Sequence, residues 1–138
     1  MKYSIYQIVI DSALHAAVNK LGHDGAAAAF PKYAAHLATS FRGSRNFKPE
    51  FGLEYSRVAT IEAANLEDVF EFGNGHGDPA KLAGAVTRLA QFHSVSVGDI
   101  VVDPVGQCFM CDSIGWTLLD FDKISACSHL RTGRALAA

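Results

Sequence analysis

The sequence predicts an α+β fold, a mainly antiparallel sheet with three to four helices packed on it. Three features predict it. Segments with strand-like apolar patterns open the chain, recur near its middle and fill its last third. Between them, apolar residues fall at helical spacing, punctuated by Gly22, Pro31, Gly73 and Pro79. At 138 residues, 49% of them hydrophobic and 19% charged, the chain has ample apolar residues to bury a core and should form one domain rather than two. A single domain is expected over 1–122, with 123–138 a C-terminal extension whose end frays.

The opening strand spans 3–10. Tyr3, Ile5 and Val9 alternate with Tyr6, Ile8 and Ile10, so both faces are apolar and the strand should be central. Asp11 and Ser12 can cap a short helix with Leu14, Val18 and Leu21 on one side and Gly22 as its stop. A second helical stretch runs from about 24 to 41. Pro31 would clash with the preceding turn inside it, so a break is expected there, with Pro31 opening the next helix. Residues 42–50, RGSRNFKPE, form a polar loop. From Phe51 the pattern turns to period two: Phe51, Leu53, Tyr55, Ala59 and Ile61 on one face, Gly52, Glu54, Ser56, Thr60 and Glu62 on the other. Asn65 caps a short helix that Gly73 ends, and 73–77 is a glycine-rich connection. Pro79 opens a further helix whose Leu82, Val86 and Leu89 are spaced for a buried stripe. A strand over 99–102, a turn over 103–106, a strand over 108–114 and, after Gly115, a strand over 116–119 complete the pattern.

Twelve basic and fourteen acidic residues give a formal net charge of −2. This excludes the strongly basic balance of a dedicated nucleic-acid binder and is too mild for an acidic DNA mimic. No run approaches eighteen apolar residues, and the first ten lack a signal-peptide cleavage site, so a soluble, cytoplasmic protein is expected. The charge is unevenly placed. Residues 20–48 carry five basic side chains and one acid, and 54–78 carry six acids and one arginine. Such asymmetry suits a polar protein-binding face, and solvated surface explains it as well.

The motifs that could carry chemistry have blander explanations. Cys108, Cys111, Cys127 and His129 would make four zinc ligands, but Cys108 and Cys111 stand three apart on a strand and so face opposite ways. Free thiols of a reducing compartment are expected instead. The GxGxG at 73–77 lacks the spacing and strand–helix context of a dinucleotide loop, and residues 111–115 lack the first glycine of a nucleophile elbow. The six histidines are scattered, and Glu67, Asp68 and Glu71 read as a solvated face favoured by the helix dipole. Arg57, on the apolar side of its strand, can snorkel or anchor an interface. Arg42, Arg45 and Lys48, interleaved with Phe41 and Phe47, could touch phosphates and stack on bases. No catalytic set, metal or cofactor is expected.

The opening YSIYQ, the segment NLEDVF at 65–70, and the blocks SVSVGDIVV (94–102) and CDSIGW (111–116) resemble the YodL-like domain. The likeness covers the first strand and roughly 55–120, while 14–51 and 79–92 depart from that family's compact form. The resemblance implies an accessory protein of a phage, plasmid or integrative element, with no established catalytic residues. Small proteins of that setting often block a host defence system by binding one of its components. The expectation is a non-enzymatic protein that binds a host protein or ribonucleoprotein complex and inhibits CRISPR-Cas or restriction. Its expected contacts are the acidic Glu62, Glu67, Asp68 and Glu71 and the basic Arg42, Arg45 and Lys48. The alternatives are a nucleic-acid-binding accessory factor using 41–48, and an enzyme with Cys111 or Ser113 as nucleophile.

Overall fold

β1 (Lys2–Gln7) lies at the centre of the sheet, as its doubly apolar pattern predicts, though it ends at Gln7 rather than at Ile10. The computed structural model describes residues 1–76 and 79–119. After β1 come α1 (Ser12–Ala29), α2 (Pro31–Arg42), two 3₁₀ turns (Gly43–Asn46 and Pro49–Glu54), β2 (Ser56–Glu62), α3 (Leu66–Gly73), α4 (Pro79–Ala85), β3 (Val86–Arg88), β4 (Ile100–Val102), β5 (Cys108–Cys111) and β6 (Trp116–Leu118). The six strands form one sheet in the order β3-β2-β1-β4-β5-β6, every described pairing antiparallel. The fold is α+β.

Because β1 is flanked by β2 and β4, its alternate side chains feed two cores. Tyr6 and Ile8 join Ile100, Val102, Cys108 and Met110 on one face, under Ala35 of α2 and under Phe47 and Tyr55. Tyr3 and Ile5 join Ala59, Ile61, Val101 and Cys111 on the other, under Val69 of α3 and Val95. Burying a side chain the size of Ile100 or Met110 contributes about 1.5–3 kcal/mol, so these two layers hold the sheet. α1 packs on α2 rather than on the sheet, through Leu14, Ala26 and Tyr33. Its first turn is capped by Asp11, which accepts from the Leu14 amide at 2.8 Å. The break at Gly22 and the start of α2 at Pro31 fall where the sequence places them.

Four expectations are corrected. Residues 51–54 do not continue the strand. Pro49 starts a 3₁₀ turn, closed by the Phe51 amide on the Lys48 carbonyl, and Leu53 faces solvent. Within β2, Val58 is buried beside Ala59 because a bulge between the Ile5 and Tyr6 pairings shifts the register. The helix from Pro79 stops at Ala85. Residues Val86–Arg88 instead complete the open edge of β2, pairing with Ile61, Thr60 and Ala59, and Leu89 is exposed. The strand from Cys108 ends at Cys111, where a tight turn leads into β6. The proposed extension at 123–138, with Cys127 and His129, lies outside the described residues. Among the described residues, no helix is long and apolar enough to cross a membrane.

Candidate functional site

Two adjoining features occupy the end of the sheet beneath the C-terminal half of α2. The first is a groove of about 680 Å³ where the first 3₁₀ turn meets the 112–115 hairpin turn. Asp112 builds it. Its carboxylate accepts from the Ser44 amide and hydroxyl, each at 2.8 Å, and from the Thr117 hydroxyl. Burial raises the Asp112 pKa, but these bonds and the charge of Arg45 outweigh burial and hold it below the usual carboxylate range. Gly43 must be glycine: its φ is +55°, and a Cβ there would collide with Asp112 Oδ1. The clamp fixes two turns and leaves two large apolar side chains at the groove's rim. Phe41 is 79% exposed and Ile114 92% exposed, beside the exposed Arg42 and Arg45.

The second feature is a cavity of about 370 Å³ around Asp99. Gln7, the last residue of β1, is fully buried and holds the cavity's loop: its Nε2 donates to the His93 carbonyl at 2.8 Å and to Asp99 Oδ2 at 2.9 Å. The Ser96 amide also donates to Asp99 Oδ2, at 2.9 Å. Tyr55 donates to the Gly98 carbonyl at 2.5 Å. Burial pushes the Asp99 carboxyl up to about 7, against the opposing effects of the Ser96 amide, His93 and Gln7. His36 from α2 lines the same cavity, its pKa lowered by burial and by the neighbouring His93 and His15.

The sequence-predicted contact residues divide between two sides of the sheet. Arg42, Arg45 and Lys48 stand on the α2 side, with Lys48 5.9 Å from the Phe51 ring centroid. Phe47, expected as a second stacking aromatic, is instead buried in the core beneath them. Glu67, Asp68 and Glu71 stand on α3, across the sheet, where Asn65 caps the helix by accepting from the Asp68 amide at 2.9 Å. Glu62 ends β2, its carboxylate 3.4 Å from the α-amino group of Met1. Among the described residues, no ion pair or hydrogen bond joins the basic set to the acidic one.

The cysteines lie as strand geometry requires. Cys108 faces one core and Cys111 the other, both as free thiols. Burial, with Asp99 and Asp112 nearby, pushes the Cys111 thiol up to about 12, which leaves negligible thiolate at neutral pH. Ser113 is exposed on the 112–115 turn, on the rim of the groove. Among the described residues, no three His, Cys, Asp or Glu side chains converge as metal ligands.

Sequence reasoning missed the Asp99 cavity. Gln7, His36, His93 and Asp99 come from β1, α2 and a loop, and no spacing links them. The one local signal was an acid placed directly before the apolar run of β4. Comparison with protein families, with curated proteins and with solved structures finds no match for this chain, so the reading of both features rests on their own geometry.

Proposed function

We propose that this chain is a non-enzymatic accessory protein of a mobile genetic element that docks on an acidic surface of a host protein complex and inhibits a defence system such as CRISPR-Cas or restriction. One observation carries the docking part: Phe41, at the C-terminal end of α2, and Ile114, two exposed large apolar side chains of the groove, stand beside Arg42 and Arg45, next to the two turns that Asp112 locks together. Aromatic and arginine side chains dominate the energetics of interfaces, and rigid presentation lowers the entropy lost on binding. Lys48 extends the positive edge, while Asp112, the one acid among the described residues that line the groove, is held by internal hydrogen bonds. Charge complementarity therefore selects an acidic partner. The YodL-like resemblance supplies the mobile-element setting.

The test is a pull-down of tagged protein from host lysate with and without nuclease, followed by phage challenge of cells expressing it. A stoichiometric protein partner that survives nuclease is expected, together with loss of one defence activity. The Phe41→Ala, Ile114→Ala double variant should bind at least tenfold more weakly. Equal capture by that variant, or full activity of every defence system, overturns the reading.

The second reading is nucleic-acid binding by the same rim, favoured by the exposed Phe41 ring beside Arg42 and Arg45. It predicts capture lost on nuclease treatment. It also predicts a salt slope that falls by about 1 for each of Arg42→Ala and Arg45→Ala.

A further inference from the structure

We propose that the cavity between α2 and the 93–99 loop binds a small organic cation, an ammonium or guanidinium group, with Asp99 as its anionic partner. The Asp99 side chain is only 6% exposed, yet it lines an open cavity together with Ile8, His36, Thr39, His93 and Val97. Its two bonds from Gln7 and Ser96 both fall on Oδ2. Among the described residues, Oδ1 has no hydrogen-bond partner, and no Lys or Arg forms an ion pair with the carboxylate. Among the described residues, the charge of His93 offsets part of the cost of burying this carboxylate, and a cationic occupant would offset more.

Three other polar groups of the cavity favour a cation. The Thr39 hydroxyl donates its proton to the Ala35 carbonyl at 2.8 Å. The Ser96 hydroxyl donates to the Ser94 carbonyl at 2.8 Å. His93 Nδ1 lies 2.8 Å from the same carbonyl, which makes Nδ1 the protonated nitrogen and Nε2 the acceptor. With their protons directed at backbone carbonyls, these groups offer lone pairs to an occupant. An N–H-rich cation matches such a lining, and an anion or a bare carbonyl does not. A metal ion is disfavoured because the two imidazoles and the carboxylate do not converge on one point.

Binding to the ionised carboxylate sets a pH dependence. With the Asp99 carboxyl at about 7, the ionised fraction, and with it the apparent affinity, falls about tenfold from pH 8 to pH 6. The other titratable groups around Asp99 do not reverse this. Tyr55 and Cys111 both have raised pKa values and stay neutral over that range. His36, whose pKa is lowered by burial, lines the cavity, and positive charge on it would repel a cation and act in the same direction; His93 lines the cavity too, and His15 lies near His36.

The experiment is an NMR titration of the whole chain with methylguanidinium and methylammonium chlorides, following the imidazole signals of His36 and His93. Saturable shifts with at least one probe are expected, about tenfold weaker at pH 6 than at pH 8. They should be lost in Asp99→Asn and retained in Arg42→Ala, which separates this site from the docking rim. Tetramethylammonium, a cation without N–H groups, should produce none. The absence of saturable shifts, or their survival in folded Asp99→Asn, overturns the proposal, as does an equal response to tetramethylammonium. Should Asp99→Asn fail to fold, the carboxyl carbon signal of Asp99 in the unaltered chain decides. Its titration midpoint should drop by at least one pH unit with saturating probe, and an unmoved midpoint overturns the proposal.

Discussion

Gly98 and Asp99 are neighbours held in place for different reasons. Gly98 has φ +94°, and a Cβ there would lie 2.8 Å from the Thr39 carbonyl oxygen. Gly98→Ala therefore meets both left-handed strain and a backbone clash, and should lower stability by about 2 kcal/mol or more in urea unfolding. Gly75, with φ +75° but open space around it, isolates the conformational part. Gly75→Ala should lose only about 1–2 kcal/mol. Asp99 acts through protons. Its folded pKa is raised above that of the unfolded chain, so the folded state binds the extra proton. The resulting stability is present below the unfolded value and is lost as pH rises through about 7. His36 has the opposite sign, since its lowered folded pKa makes stability rise with pH near the ordinary histidine value. The difference between the original chain and Asp99→Asn isolates the carboxyl. The original chain should lose stability relative to Asp99→Asn between pH 5 and pH 8, as read by urea midpoints at each pH.

At the scale of elements, the hairpin β5–β6 and the first 3₁₀ turn are joined by one side chain. Asp112→Ala removes the acceptor for the Ser44 amide, the Ser44 hydroxyl and the Thr117 hydroxyl together. A loss of about 1–2 kcal/mol is expected, with faster hydrogen exchange at the Ser44 amide. An unchanged exchange rate would mean that the junction is held by packing alone. Some elements were legible because their signals are local. Asp11 and Asn65 accept from amides three residues on, and Pro31 sits at the first turn of α2, as caps and proline dictate. Others were not. The alternation of Phe51, Leu53 and Tyr55 suggested strand, yet Pro49 favours a 3₁₀ turn and only Tyr55 is fully buried. Leu82, Val86 and Leu89 have helical spacing, yet the unpaired edge of β2 draws Val86–Arg88 into the sheet. Pairing with a distant strand outweighs a weak local period.

The whole molecule is a sheet with differently charged coverings on its two sides. Arg42, Arg45 and Lys48 stand on the α2 side, and Glu67, Asp68 and Glu71 on the α3 side. A partner docked on the basic rim therefore need not touch α3. The Arg42→Glu, Arg45→Glu variant should abolish capture of such a partner, and Glu67→Lys, Glu71→Lys should leave it intact. Loss in both variants would mean a partner that wraps the sheet edge. The asymmetry of charge along the chain was visible in sequence, but its division between two sides depends on the order of the strands.

The sequence by itself determined the fold class, the central place of β1, the helix caps and the opposite facings of Cys108 and Cys111. Each of these follows from spacing within a dozen residues, where the periods of helix and strand act directly. Only the tertiary structure decided that Asp112 clamps Ser44, that Gly98 lies against Thr39, that Gln7 holds Asp99, and that His36, His93 and Asp99 line one cavity. Those contacts join residues dozens of positions apart, and they exist because antiparallel pairing of β1 with β4 brings both ends of the chain's core together.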